Sequence, residues 1–180
     1  MLAVHAALDR ARLPHAFGGA IALAYCTEEP RGTRDIDINV FVPPERTGFV
    51  FAALPAELAY DADQIARAER DGQVRIFWDD TPLDFFFAVH QFHREVAGGI
   101  RSVPFEGETI PVLGCASLVV FKALFNRTKD WADIEAVVEA GAIDGTEARI
   151  ALERLVGPED DAAQRLAAIL RDKPPAVWSK

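Results

Sequence analysis

Cysteine is scarce in this chain, with Cys26 and Cys115 the only two in 180 residues. Neither has a second cysteine or a histidine at metal-ligand spacing, which argues against a thiolate metal site. Unpaired cysteine is usually a small core residue, so both are expected as buried free thiols. The four histidines, His5, His15, His90 and His93, make no metal-ligand set either. Basic residues are outnumbered, leaving a formal charge of −9, and this argues against a broad nucleic-acid-binding surface. Local positive clusters remain at Arg31, Arg34 and Arg46 and at Lys122, Arg127 and Lys129. No run approaches the roughly 20 uncharged apolar residues of a membrane span. The N-terminus has charges early and no secretion-signal core, so a cytoplasmic protein without membrane contact is expected. Repeats and low-complexity segments are absent.

What is present is hydrophobicity, at half of all residues, enough for one well-buried core or a small domain with a helical appendage. The pattern predicts helices over 2–13, 19–25 and 61–70, a strand over 35–42 stopped by Pro43-Pro44, and a surface connection after it. Residues 73–78 and 83–89 read as a hairpin around Asp79-Asp80-Thr81-Pro82, and 100–112 as a second hairpin around Glu106-Gly107-Glu108. Helices follow over 116–125, 129–140, 146–156 and 159–170, with Thr146 as an N-cap. The expected class is α/β (α+β), a mixed sheet with flanking helices plus a C-terminal helical bundle. Residues 1–113 form the α/β domain and 114–180 a helical region expected to pack on it.

The chemistry concentrates in Asp35-Ile36-Asp37-Ile38-Asn39-Val40-Phe41-Val42. Alternation puts Asp35, Asp37 and Asn39 on one face and the aliphatic residues on the other. Adjacent carboxylates at the mouth of a buried strand repel, and each is costly to desolvate without a cation or hydrogen bonds. Gly18-Gly19 stand upstream, at the start of a short helix whose N–H groups suit phosphate. Asp84 is a further carboxylate at a strand start.

Gly18-Gly19-Ala20-Ile21-Ala22 followed by Arg31-Gly32-Thr33-Arg34-Asp35-Ile36-Asp37 resembles the motif of the DNA polymerase β-type nucleotidyltransferase superfamily, in the longer-spaced form of the AbiEii and MenT-like toxins. The run from Phe121 to Ile134 is similar to that family's Lys helix and Arg-x-Lys-Asp-x-x-Asp-Ile element. The chain departs from the familiar Gly-Ser in having Gly-Gly, which removes a phosphate-binding hydroxyl. The resemblance implies a polymerase β-like nucleotidyltransferase fold and transfer of NMP from NTP to an acceptor hydroxyl with loss of pyrophosphate. It implies two Mg²⁺ ions held by Asp35, Asp37 and Asp84, with Asp84 helping to deprotonate the acceptor, and Lys122 on the triphosphate. Gly18, Gly19, Arg31, Thr33, Arg34, Arg127, Lys129 and Asp130 complete the implied nucleotide site. It further implies a toxin acting on tRNA 3′ ends with an antitoxin partner, with Thr33 open to regulatory phosphorylation. An aminoglycoside-type transferase and a catalytically silent partner-binding module are the alternatives.

Overall fold

The alternating segments close into a mixed six-stranded sheet in the computed structural model, which describes residues 1–172. In chain order come α1 (Leu2–Arg10), β1 (His15–Phe17), α2 (Gly19–Thr27), β2 (Ile36–Val40), α3 (Thr47–Ala53), α4 (Ala62–Asp71), β3 (Gln73–Trp78), β4 (Thr81–Phe87), α5 (Gln91–Ala97), β5 (Arg101–Phe105), β6 (Glu108–Val112), α6 (Cys115–Phe125), α7 (Thr128–Glu139), α8 (Gly145–Val156) and α9 (Asp161–Asp172). The expected helical region ran to 180, of which 173–180 lie outside the described residues. Two compact units result: 1–21 with 31–113, and 22–30 with the chain from Gly114 onward.

The first unit carries the sheet, in the order β3-β4-β2-β1-β6-β5. β2 lies parallel to β4 and antiparallel to β1, while β1 is parallel to β6. One face of β2 and β4 is apolar, with Ile38, Val40, Leu83, Phe85 and Phe87 buried. Phe51 of α3 meets the rings of Phe85 and Phe87 there, and each such side chain contributes roughly 1.5–3 kcal/mol by leaving water. The connection expected after Pro43-Pro44 is thus partly a core helix, since Val50 and Phe51 of α3 are buried. Its seven residues are too short for amphipathic periodicity to stand out.

Turn chemistry fixes two hairpins. Glu106 and Gly107 have φ of 50° and 82°, the paired positive angles that a two-residue turn between β5 and β6 requires. The other turn is shorter than the sequence suggests: Asp79-Asp80 alone separates β3 from β4, and Pro82 lies within β4 opposite Phe77. Pro82 is tolerated because β2 first meets β4 at Leu83, so the missing N–H falls beyond the end of that neighbour. Asp61 caps α4 through a reciprocal pair, its Oδ1 accepting from the Gln64 N–H at 2.7 Å while Gln64 Oε1 accepts from the Asp61 N–H at 2.9 Å. At the start of the sheet, the buried His15 ring donates from Nδ1 to the Leu13 carbonyl at 2.8 Å. Its Nε2 is therefore the acceptor for Nδ1–H of His5, 2.9 Å away. Burial lowers the His15 pKa, and the charge of His5 acts the same way.

In the second unit, α6 packs against α7, α8 and α9. Asp144, not Thr146, caps α8, accepting from the Thr146 N–H at 2.9 Å. The expectation of free thiols is overturned: Cys26, in the last turn of α2, is disulfide-bonded to Cys115, the first residue of α6. No local pattern signals this, because the pair is separated by 89 residues and only folding makes them neighbours. Closing so long a loop restricts the unfolded chain, so reduction should cost about 2–4 kcal/mol. Thermal melts with and without dithiothreitol check this, and a melting temperature indifferent to reductant and to Cys26→Ala would refute it. No helix among the described residues is long and apolar enough to cross a membrane.

Candidate functional site

β2 begins at Ile36, so Asp35 sits in the bend just before the strand and Asp37 within it. Parallel pairing sets Asp37 directly beside Asp84 and Asn39 beside Phe86. The two carboxylates foreseen on separate segments are thereby brought side by side at one register position of neighbouring interior strands. Asp35, Asp37 and Asp84 are all half-buried, and Asn39 is buried.

The glycine pair backs directly onto this cluster. Gly18 N–H donates to the Asp37 carbonyl at 2.9 Å, and Gly19, with φ of +50°, opens α2. A β-carbon on Gly19 would strike the Asp37 carboxylate, reaching its Cγ at 2.6 Å, and one on Gly18 would lie 2.8 Å from Asn39 Nδ2. Only a residue lacking Cβ satisfies both the backbone angle and the approach. Gly19→Ala should therefore lower stability by more than about 1 kcal/mol and displace the Asp37 carboxylate. Chemical denaturation together with a crystal structure of the variant checks it, and an unmoved Asp37 with unchanged stability would contradict the packing.

Arg75, absent from the residues singled out by sequence, brings a cation to the cluster. It lies opposite Asp84 in the β3–β4 register, and its Nε and Nη2 donate to Asp84 Oδ1 and Oδ2, each at 2.6 Å. Nη2 is also 3.7 Å from Asp35 Oδ2. The hydrogen bonds with Asp84, followed by the charges of Asp84, Asp35 and Asp37, raise the Arg75 pKa further above its ordinary value. The signal for Arg75 was the turn length, since a two-residue turn faces Arg75 toward Asp84 whereas the four-residue turn read from Asp79-Asp80-Thr81-Pro82 faces Phe77 toward it.

In the loop before β2, Arg31, Thr33 and Arg34 are exposed. The Thr33 hydroxyl is 2.8 Å from Asp35 Oδ1 and 3.1 Å from the Asp35 carbonyl, so it shapes the approach to the strand. The donor types suit magnesium, which takes carboxylate oxygen, but their arrangement does not. Among the described residues no three acidic, histidine or cysteine side chains are gathered to hold an ion; both Asp84 oxygens bond to Arg75, and Asp35 bonds to Thr33.

The remaining sequence candidates lie in the helical unit and form a cluster of their own. Lys122 is 2.6 Å from Asp133 Oδ2 and 3.6 Å from Asp130 Oδ1, with side-chain exposures of 8%, 6% and 0% respectively. Arg127 donates from Nε to Asp130 Oδ2 at 2.6 Å and from Nη2 to Oδ1 at 3.1 Å. Burial opposes the charged form of Asp130, yet the bonds and charge of Arg127, aided by Lys122, outweigh it and lower the pKa. The family resemblance implies a triphosphate contact for Lys122; in this structure its ammonium pairs with Asp133 and joins α6 to α7. A lysine amid Leu118, Val119, Val120 and Ala123 is buried where it stands, and Asp133 supplies the charge that makes burial tolerable. Lys129 is exposed at the start of α7.

No protein-family model and no curated protein matches the chain. Solved structures do. The antibiotic-resistance factor ANT(2'')-Ia in solution superimposes with a TM-score of 0.58 at 15% identity, over 95% of this chain and 93% of that one. The fold is that of nucleotidyltransferases. ANT(2'')-Ia in complex with adenylyl-2''-tobramycin gives a TM-score of 0.53 at 15% identity, with 95% of each chain covered. An antigenic nucleotidyltransferase-like protein from Paracoccidioides brasiliensis gives 0.50 at 17% identity, over 93% of this chain and 91% of that one. The nucleotidyltransferase fold therefore extends across nearly the whole chain, including its helical part.

Proposed function

We propose that this protein is a nucleotidyltransferase that moves an NMP from an NTP to an acceptor hydroxyl and releases pyrophosphate. The observation that carries the reading is the pairing of Asp37 with Asp84 on adjacent parallel strands, with the Gly18-Gly19 turn packed against Asp37. A helix N-terminus presents unpaired N–H groups to anions, and the start of α2 would receive phosphate oxygens in that way beside the acids. Asp84 would take the proton from the acceptor hydroxyl as that oxygen attacks the α-phosphorus, with the α–β phosphoanhydride bond breaking to free pyrophosphate. In the nucleotide-free protein Arg75 aligns the Asp84 carboxylate through both of its oxygens. Exposed Arg31 and Arg34 stand before the strand as candidates for the triphosphate.

A small polyhydroxylated acceptor is the first reading of the substrate. The formal charge of −9 disfavours a polyanionic acceptor, and ANT(2'')-Ia, whose complex contains adenylyl-2''-tobramycin, matches end to end. A second reading is a tRNA 3′ end, with the chain as the toxin of a toxin–antitoxin pair. The exposed Arg31-Gly32-Thr33-Arg34 loop favours it by placing local positive charge next to Asp35. Incubation with each α-labelled NTP and Mg²⁺ or Mn²⁺, offering aminoglycosides and bulk tRNA in parallel, tests both. Label on an aminoglycoside supports the first reading, and label on tRNA with growth arrest on expression supports the second. No transfer to any acceptor, with no pyrophosphate released, would overturn the activity itself.

A further inference from the structure

We propose that Arg75 is a built-in counter-cation that occupies the acidic cluster of the nucleotide-free protein and must give up Asp84 before a divalent cation can bind there. The inference rests on the nucleotidyltransferase reading and accounts for the mismatch between donor type and donor arrangement.

Three features set Arg75 apart from an ordinary surface partner. First, its fork is bidentate, spending both Asp84 oxygens on Nε and Nη2 at 2.6 Å, the geometry in which an arginine–carboxylate pair is strongest. Second, the pairing is imposed by the backbone: β3 and β4 put residue 75 opposite residue 84. Third, the same Nη2 stands 3.7 Å from Asp35, so the guanidinium addresses acids on both sides of the site. Asp84 has 17% of its side chain exposed while Arg75 has 50%. The carboxylate is held in place by the sheet, and the long arginine side chain is the partner with room to withdraw toward solvent.

The like charges of Asp35, Asp37 and Asp84 require compensation whenever the site is empty. Arg75 supplies it, so the cluster is stable without metal, and cation binding becomes an exchange in which Arg75 and the incoming ion compete for the same Asp84 oxygens. Arg75 is then a positioning residue that sets how tightly the site takes metal before the triphosphate arrives.

Direct measurement of Mn²⁺ binding, by loss of the free-ion electron paramagnetic resonance signal without nucleotide, tests this on wild type, Arg75→Gln, Arg75→Lys and Asp37→Asn. Removing the competing charge should tighten Mn²⁺ binding about tenfold in Arg75→Gln. That variant should also show a lower melting temperature without metal, restored by Mn²⁺. Arg75→Lys, which keeps the charge and loses the fork, should fall between it and wild type, and it serves as the readout if Arg75→Gln does not fold. Binding to the Arg75 variants that is no tighter than wild type, or weaker, overturns the inference. If wild type transfers nucleotide and loses Mn²⁺ binding only through Asp37→Asn, the activity stands and this role for Arg75 falls. If no variant responds to Mn²⁺ and none transfers nucleotide, both readings fall together.

Discussion

Asp37→Asn should cut nucleotidyl transfer by at least on the order of 10²–10³ while leaving the fold intact. The substitution preserves shape against Gly19 and the backbone bond from Gly18, and replaces the charged carboxylate with a neutral amide. Because Asp37 stands beside Asp84 across a parallel pair, losing that charge changes the field at the reacting centre without opening a cavity. Asp79→Asn is the matched control, an acid in the β3–β4 turn whose removal should leave transfer within about twofold, as for surface changes away from special features. Initial rates with saturating NTP, alongside thermal melts, separate the two. A folded Asp37→Asn variant with wild-type turnover would remove the carboxylate pair from the chemistry.

Lys122→Met should act in the opposite way, on stability rather than on the chemical step. Removing the ammonium leaves Asp133 and Asp130 buried with less compensation, a loss of about 3–5 kcal/mol for a broken buried pair, or roughly 10 °C in melting temperature. The paired change Lys122→Met with Asp133→Leu should recover much of it, since both charges then leave together. The measurement is a double-mutant cycle by chemical denaturation. A Lys122→Met variant that melts like wild type yet loses transfer would return Lys122 to the triphosphate and dissolve the clasp. The same cluster gives a direction with pH. Asp130 has its pKa lowered on folding despite burial, through Arg127 and Lys122. Its contribution is therefore fully present above the ordinary carboxylate pKa and lost as pH falls from there through the lower folded value.

Local pattern carried much of this molecule. The alternation of Asp35, Asp37 and Asn39 against Ile36, Ile38 and Val40 was readable because one strand's period separates its two faces. The Asp84 face was readable for the same reason, with Leu83, Phe85 and Phe87 buried on the opposite face of β4. Glycine at 18 and 19 is expected from sequence to let the backbone approach phosphate, and the structure shows that the pair also packs directly against Asp37 and Asn39. The α3 core helix and the length of the Asp79-Asp80 turn were harder. A seven-residue helix barely samples its own period, and a proline inside a strand resembles a turn until the neighbouring strand's end is known.

Residue order alone thus determined most of the strands, which faces are acidic, and where the glycine turn begins, since these depend on neighbours a few positions apart, whereas the three-residue β1 is too short to show a period. Tertiary structure decided the rest: that Arg75 grips Asp84, that Lys122 is spent on Asp133, and that Cys26 meets Cys115 across 89 residues. Those outcomes follow from strand register, helix packing and chain closure, which bring together groups that local residue patterns leave apart.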